Sequence, residues 1–175
     1  MLTTLAVLLL SQYPQAMCKT TNGTAACGYD CKATNGQVAC ARTPWGRCVA
    51  TNGRLFCGDP PGWALHTGVD LSGLECLATN GTAACGYDCT STNGTVACAA
   101  TPWGRCVATN GRVFCGDPSA RALHFATGLT RMECLTNNGT AACGYDCRAT
   151  NGTVACSQVP WGRCVTTNGR VFCSE

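Results

Sequence analysis

The sequence contains little charge and few large apolar side chains. Only 12% of its residues are charged and the net charge is +3. A nucleic-acid partner would call for clustered lysine and arginine, so that class of partner is excluded. Phenylalanine, tryptophan and tyrosine occur four times each. Such a chain cannot build one large hydrophobic core, and covalent cross-links must therefore supply much of its stability.

Long apolar runs are equally scarce. The apolar stretch at residues 5–10 is too short to span a bilayer, so we expect no transmembrane segment. Together with Ala16 it is typical of an export signal. We therefore predict a signal peptide over 1–16 and a mature chain that is secreted or held at the cell surface.

Cysteine, in contrast, is abundant and strictly spaced. Eighteen cysteines in 175 residues indicate a disulfide scaffold made in an oxidising compartment. The pattern repeats with a period of 58, which predicts cysteine-rich modules at 18–57, 76–115 and 134–173 joined by linkers at 58–75 and 116–133. The cysteines are Cys18, Cys27, Cys31, Cys40, Cys48 and Cys57, then Cys76, Cys85, Cys89, Cys98, Cys106 and Cys115, then Cys134, Cys143, Cys147, Cys156, Cys164 and Cys173.

A ten-residue unit lies inside each module: cysteine, three residues, Asn-Gly, three residues, cysteine. Asn-Gly favours a type I′ turn, which predicts a β-hairpin with Val49 opposite Phe56 and Cys48 opposite Cys57. We predict nine such hairpins, each closed by its own disulfide, with about 2–3 kcal/mol gained per bridge. The fold class is therefore all-β, in small disulfide-rich repeat modules. Pairing of cysteines between hairpins stays open as the alternative.

The alternation of side chains gives each hairpin two faces. We expect the face with the cystine and small apolar residues to pack on neighbouring hairpins, and the threonine-rich face to meet water. Hairpin spacings of 13 and 17 residues argue against a flat solenoid face. We expect three linked units rather than one globule, with a compact pseudo-threefold arrangement left open and a short helix over 120–131.

No catalytic constellation stands out. His66 and His124 lie one in each linker, and all cysteines are expected in bridges, which leaves no nucleophile for a cysteine–histidine site. The spacing of Cys27 and Cys31 permits a metal clip, but oxidation of both thiols is the favoured interpretation. We predict no enzyme activity, no metal and no cofactor.

The aspartate of each Gly-Tyr-Asp sequence lacks a second carboxylate at fixed spacing for acid–base catalysis. Hydrogen bonding of its side chain to backbone groups in a turn is the ordinary explanation. The three residues are Asp30, Asp88 and Asp146.

The sequence Pro-Trp-Gly-Arg precedes the third hairpin of each module. Tryptophan and arginine dominate interface energetics, so these loops are candidate recognition sites, and three copies would add avidity. The favoured alternative is that each tryptophan is the largest core residue of its module. The candidate pairs are Trp45 with Arg47, Trp103 with Arg105, and Trp161 with Arg163.

The pattern CGYDC…TPWGRC resembles cysteine-rich repeats of uncharacterised exported bacterial proteins, a resemblance that implies export and no particular activity. We expect a structural or adhesive extracellular repeat protein. A trivalent module that binds a glycan or a protein through the Pro-Trp-Gly-Arg loops is the alternative. A protease inhibitor that presents Arg47 is a lesser one, and self-association stays open.

Overall fold

The structure is a computed structural model that describes residues 14–66, 70–125 and 131–175. Its described part is all-β apart from two short helices, which confirms the predicted fold class. The strands are Met17–Thr21 (β1), Thr24–Thr34 (β2), Gln37–Ala41 (β3), Arg47–Thr51 (β4), Arg54–Gly58 (β5), Glu75–Thr79 (β6), Thr82–Thr92 (β7), Thr95–Ala99 (β8), Arg105–Thr109 (β9), Arg112–Gly116 (β10), Glu133–Asn137 (β11), Thr140–Thr150 (β12), Thr153–Ser157 (β13), Cys164–Thr167 (β14) and Arg170–Cys173 (β15).

Nine antiparallel hairpins form, and we number them 1 to 9 along the chain. Every Asn-Gly corner has positive φ at both residues, 43 to 49° at asparagine and 69 to 83° at glycine, as a type I′ turn requires. The predicted register is confirmed in hairpin 3, where Val49 lies opposite Phe56 and Cys48 opposite Cys57.

All nine disulfides are local. Each joins the two cysteines of one hairpin, with Cα–Cα distances of 4.0 to 4.1 Å, and all 18 cysteines are used. The prediction of local bridges is confirmed, and the alternative of pairing between hairpins is wrong. Cross-links of this kind form and persist in oxidising compartments.

The first two hairpins of each module share one long strand. β2 pairs with β1 through its first half and with β3 through its second half, and an irregular register separates Tyr29 from Lys32. Asp30 lies in that break with φ of 41°. The extra residue is a bulge that bends the strand, and an aspartate tolerates the left-handed conformation better than most residues do.

The hairpins stack in a single line. Among the described strands, substantial packing occurs only within a hairpin or between hairpins that follow each other in the chain. Hairpin 3 packs directly on hairpin 4, and hairpin 6 on hairpin 7, so the stack continues across both module boundaries. The expectation of three separate units is wrong, and the pseudo-threefold arrangement does not form.

The Asn-Gly corners form a column along one edge of this stack. The amide nitrogen of Asn52 lies 2.8 Å from the position that a Cβ on Gly81 would take. The same contact, within 4 Å, recurs at all eight steps from Asn22 over Gly36 to Asn151 over Gly169. The unequal chain spacings of 13 and 17 residues therefore do not disturb the stack, because the extra residues leave it as loops.

Glycines permit the close approach at the module boundaries. A Cβ on Gly116 would lie 2.5 Å from the Cβ of Cys143, and one on Gly58 would collide with Cys85. The sulfur of Cys76 lies 3.1 Å from the carbonyl oxygen of Arg47. The cystine of one hairpin thus rests on the backbone of the preceding one, as the small apolar face was expected to do.

The threonine-rich face behaves differently from expectation. Within the stack, threonines such as Thr51 are half-buried, because the next hairpin covers them, and the Thr51 hydroxyl accepts a hydrogen bond from Gly81 N at 3.2 Å. Only in hairpin 9 is the corresponding face open, with Val165 61% and Phe172 53% exposed.

Two short helices occupy the linkers: Gly62–His66 (α1) and Ala120–Phe125 (α2). The helix predicted over 120–131 is shorter than expected within the described residues, and α1 was not predicted. No helix in the described ranges has the length and apolar character needed to cross a membrane. The predicted signal peptide, 1–16, lies almost wholly outside the described residues.

Candidate functional site

The Pro-Trp-Gly-Arg loops are tight turns between the second and third hairpins. Gly46 N donates to the Thr43 carbonyl at 3.0 Å, with Pro44 and Trp45 at the corner of the turn. Proline suits this corner because its φ is already fixed. A Cβ on Gly46 would lie 2.5 Å from the Cβ of Ala41, so only glycine fits.

A carboxylate from the following linker holds each of the first two loops. Asp59 accepts hydrogen bonds from Arg42 N at 2.9 Å, Thr43 N at 2.8 Å and the Thr43 hydroxyl at 2.9 Å. Asp117 makes the equivalent bonds to residues 100 and 101. We call this hydrogen-bonded aspartate and threonine pair the latch. It was not predicted from the sequence, because Asp59 and Asp117 fall in segments assigned only as linkers, 58–75 and 116–133.

The third module replaces both partners of this latch. Val159 stands at the position of Thr43 and Thr101, and Glu175 stands at the position of Asp59 and Asp117. Ser174 replaces the glycine that precedes the aspartate in the first two modules. Here Arg163 N donates to the Ser174 hydroxyl at 3.1 Å, and the Ser157 hydroxyl lies 3.0 Å from the Ser174 carbonyl oxygen. The joint replacement of threonine and aspartate was the signal that would have revealed the latch.

The tryptophans of the loops do not form a core. Trp45 is 40% exposed and Trp161 47% exposed, so the favoured interpretation of these residues as core is wrong. Trp103 is half-buried, and its ring stacks on Trp63 of the preceding linker at 6.2 Å between centroids and 14° between planes. Three equivalent loops therefore present their tryptophans in two different environments.

The arginines of the loops also differ. Arg105 donates to Asp88 at 3.2 Å, whereas Arg47 and Arg163 are exposed. Their part in recognition, and the presentation of Arg47 to a protease, stay predictions.

Acidic residues connect successive hairpins. In five hairpins the residue immediately before the first cysteine is acidic. Its carboxylate accepts a hydrogen bond from the backbone N–H of the first cysteine in the following hairpin. Asp30 accepts from Cys48 N at 2.7 Å, and Glu75 accepts from Cys89 N at 2.8 Å. Asp88, Glu133 and Asp146 bind Cys106, Cys147 and Cys164 in the same way. Hydrogen bonding of the three aspartates to backbone is thus confirmed, although the partner lies in another hairpin.

The electrostatics of Asp30 follow from these contacts. Partial burial raises the pKa of the Asp30 carboxyl. The Cys48 N–H and the Lys32 ammonium at 3.0 Å outweigh this effect and hold the pKa below its ordinary value. This carboxylate is therefore ionised as a structural acceptor.

A groove of about 350 Å³ lies beside the second loop, lined by Asp70, Ser72, Gly73, Tyr87, Pro102, Trp103 and Arg131. Tyr87 packs with Leu74 and Ala99 in a small apolar cluster. Its hydroxyl is buried and has no hydrogen-bond partner among the described residues. Burial, and then the nearby charge of Asp70, raise the pKa of this phenol.

Module 3 carries a related groove of about 310 Å³ over Tyr145, whose hydroxyl is likewise buried without a partner among described residues. Glu133 and Asp146 line it, but each already accepts a backbone N–H. Arg131 reaches both grooves. Neither groove was predicted, because the linkers that complete them carry no recognisable motif.

Of the remaining predicted residues, Cys27 and Cys31 belong to different disulfides, so their sulfurs are not available as a metal clip. His66 and His124 lie in α1 and α2, and their side chains fall outside the described part of the structure. Within the described ranges no three histidine, cysteine or acidic residues are grouped as a metal site.

The chain matches no protein-family model, no curated protein and no solved structure.

Proposed function

We propose that the protein is an exported, non-enzymatic structural or adhesive element that acts as a stiff spacer at the cell surface or in the extracellular space. The observation that carries this proposal is the unbroken stack of nine hairpins, each closed by its own disulfide. Repeat proteins of this kind are nearly one-dimensional, and neighbouring contacts set their length and stiffness.

The use of the reactive groups supports a non-catalytic role. Five carboxylates fix the first cysteine of the next hairpin, and Asp59 and Asp117 hold the loops. Every cysteine is bonded to another cysteine. These carboxylates and cysteines therefore stabilise the stack and its loops, as we expect in a spacer.

Small-angle X-ray scattering of the oxidised protein tests the spacer. We expect an elongated particle whose radius of gyration clearly exceeds about 16 Å, the value for a compact chain of this length. Full reduction of the disulfides should give the scattering of an unfolded chain. A compact particle in the oxidised state would refute the proposal, and retention of the protein inside the producing cell would refute its export.

A trivalent glycan- or protein-binding module is the second candidate function. Its support is that Trp45 and Trp161 are exposed in tight turns, since tryptophan is enriched among the residues that dominate binding energy. Replacing Trp45, Trp103 and Trp161 together with alanine tests it. Loss of ligand binding with all nine disulfides intact supports the candidate, and unchanged binding rules it out.

A further inference from the structure

The groove of module 2 is open to solvent and large enough for a small ligand. Its volume of about 350 Å³ lies within the range of small-molecule pockets, near the lower end. One wall is the linker at Asp70 and Ser72, and the other is the loop at Pro102 and Trp103. The groove therefore exists only because the linker folds back beside the module that follows it.

The floor of the groove contains an unused polar group. Tyr87 is 2% exposed, and its hydroxyl has no hydrogen-bond partner in the described structure. Buried polar groups are nearly always hydrogen-bonded, and an unpaired one destabilises the fold. Asp70 lies close enough for its charge to act on this phenol. A ligand with one hydroxyl group at Asp70 and a second at the phenol would satisfy the tyrosine.

The aromatic wall is held in place before any ligand arrives. Trp103 stacks on Trp63, and its carbonyl oxygen accepts a hydrogen bond from Met132 N at 3.0 Å. Because the stacking restrains the ring and the hydrogen bond restrains its backbone, binding against the ring loses little conformational entropy. The exposed C–H face of a sugar ring packs well on such a surface through dispersion and hydrophobic contact.

The charges of the groove are balanced. Asp70 is exposed and accepts hydrogen bonds from Ser72, including one from Ser72 N at 2.9 Å, and a carboxylate with about four lone-pair sites keeps further acceptor capacity. Arg131 also lines the groove, and its guanidinium lies 3.6 Å from the carboxylate of Asp88. With one acid and one base in its lining, the groove favours neither an anion nor a cation.

We propose that this groove binds one neutral pyranose residue of a glycan. The sugar ring packs beside Trp103, one hydroxyl donates to Asp70, and another accepts the phenolic hydrogen of Tyr87. This inference rests on the second candidate function, and it places glycan binding in one groove beside the second loop rather than at all three loops. The related groove over Tyr145 has no tryptophan in its lining, and its two carboxylates are occupied, so it serves as the comparison.

The test uses the oxidised full chain with cellohexaose, chitohexaose and mannohexaose as probes. Titration calorimetry and tryptophan fluorescence should show saturable binding of at least one of them. Tyr87→Phe removes only the hydroxyl and should weaken that binding about tenfold. Trp103→Ala should abolish it, whereas Tyr145→Phe, the matched change in the comparison groove, should leave it unchanged.

Each alternative outcome has a defined meaning. Binding that survives Tyr87→Phe and Trp103→Ala but is lost in a Trp45→Ala, Trp161→Ala double variant overturns the groove and leaves the second candidate standing. Saturation by choline with no response to any oligosaccharide overturns the sugar assignment. Absence of binding to all three oligosaccharides overturns the proposal as well. Disulfide mapping of each variant confirms that the hairpins remain intact.

Discussion

The Asp30 carboxylate accepts a 2.7 Å hydrogen bond from the backbone N–H of Cys48, a residue 18 positions further along the chain. This bond joins hairpin 2 to hairpin 3. Asp88 and Asp146 make the same connection in modules 2 and 3. The recurring aspartate thus joins consecutive hairpins by a hydrogen bond, in addition to occupying a strand bulge.

Asp30→Asn should weaken the contact between hairpins 2 and 3 by about 1 kcal/mol, because a neutral amide replaces a charge-assisted acceptor. Asparagine still tolerates positive φ, so the strand bulge should be kept. Hydrogen exchange should become faster at the Cys48 amide. The Cys106 amide, which Asp88 still binds, is the internal control and should not change. Equal acceleration at both amides would contradict a local role.

The same bond predicts a dependence on pH. Since the pKa of Asp30 is held below its ordinary value of 3.8, its contribution to stability is complete above that value and disappears as the pH falls through the lowered pKa. The Cys48 amide proton resonance should therefore titrate with a midpoint below 3.8. Asp30→Asn should remove this titration, and a midpoint above 3.8 would refute the explanation.

The column of corners predicts a difference between two equivalent glycines. Gly81→Ala and Gly23→Ala both force alanine into positive φ, at a cost of about 1–2 kcal/mol. A Cβ on Gly81 would also meet the Asn52 amide, whereas a Cβ on Gly23 would have no atom of another residue beyond its chain neighbours within 4 Å. Chemical denaturation should show the larger destabilisation for Gly81→Ala. Equal losses of stability in the two variants would mean that successive Asn-Gly corners do not pack against each other.

The module boundary gives a second matched pair. Gly58→Ala places a methyl group against the Cys85 Cβ, and overpacking of this kind typically costs about 1–3 kcal/mol. Gly62→Ala lies in α1 with open space around it and should be neutral or slightly stabilising. Limited proteolysis should cut the linker at 58–75 faster in Gly58→Ala only. Resistance equal to the parent protein would contradict close packing of hairpins 3 and 4.

The hairpins were predictable because their determinants are local. Asn52 and Gly53 set the turn, and the turn brings Cys48 to Cys57 within ten residues. The order of stacking has no such local signal. It depends on contacts such as Asn52 over Gly81, which join different modules.

The tryptophans show why the predicted site was only partly correct. A large apolar residue in a chain poor in such residues suggests a core, and on that ground Trp45 was assigned to one. The stacked faces, however, approach through glycine, alanine and cystine, which leave no volume for an indole ring between hairpins. Trp45 therefore lies outside, and Trp103 is sheltered only because Trp63 lies beside it.

The local cystines also decide how this molecule would respond to damage. A protease that cuts the backbone at any of the nine corners leaves two pieces still joined by sulfur a few residues away. A pulling force likewise passes through the bridge and bypasses the corner. Breakage and lengthening are thereby confined to the segments between hairpins, of which the two linkers are the longest.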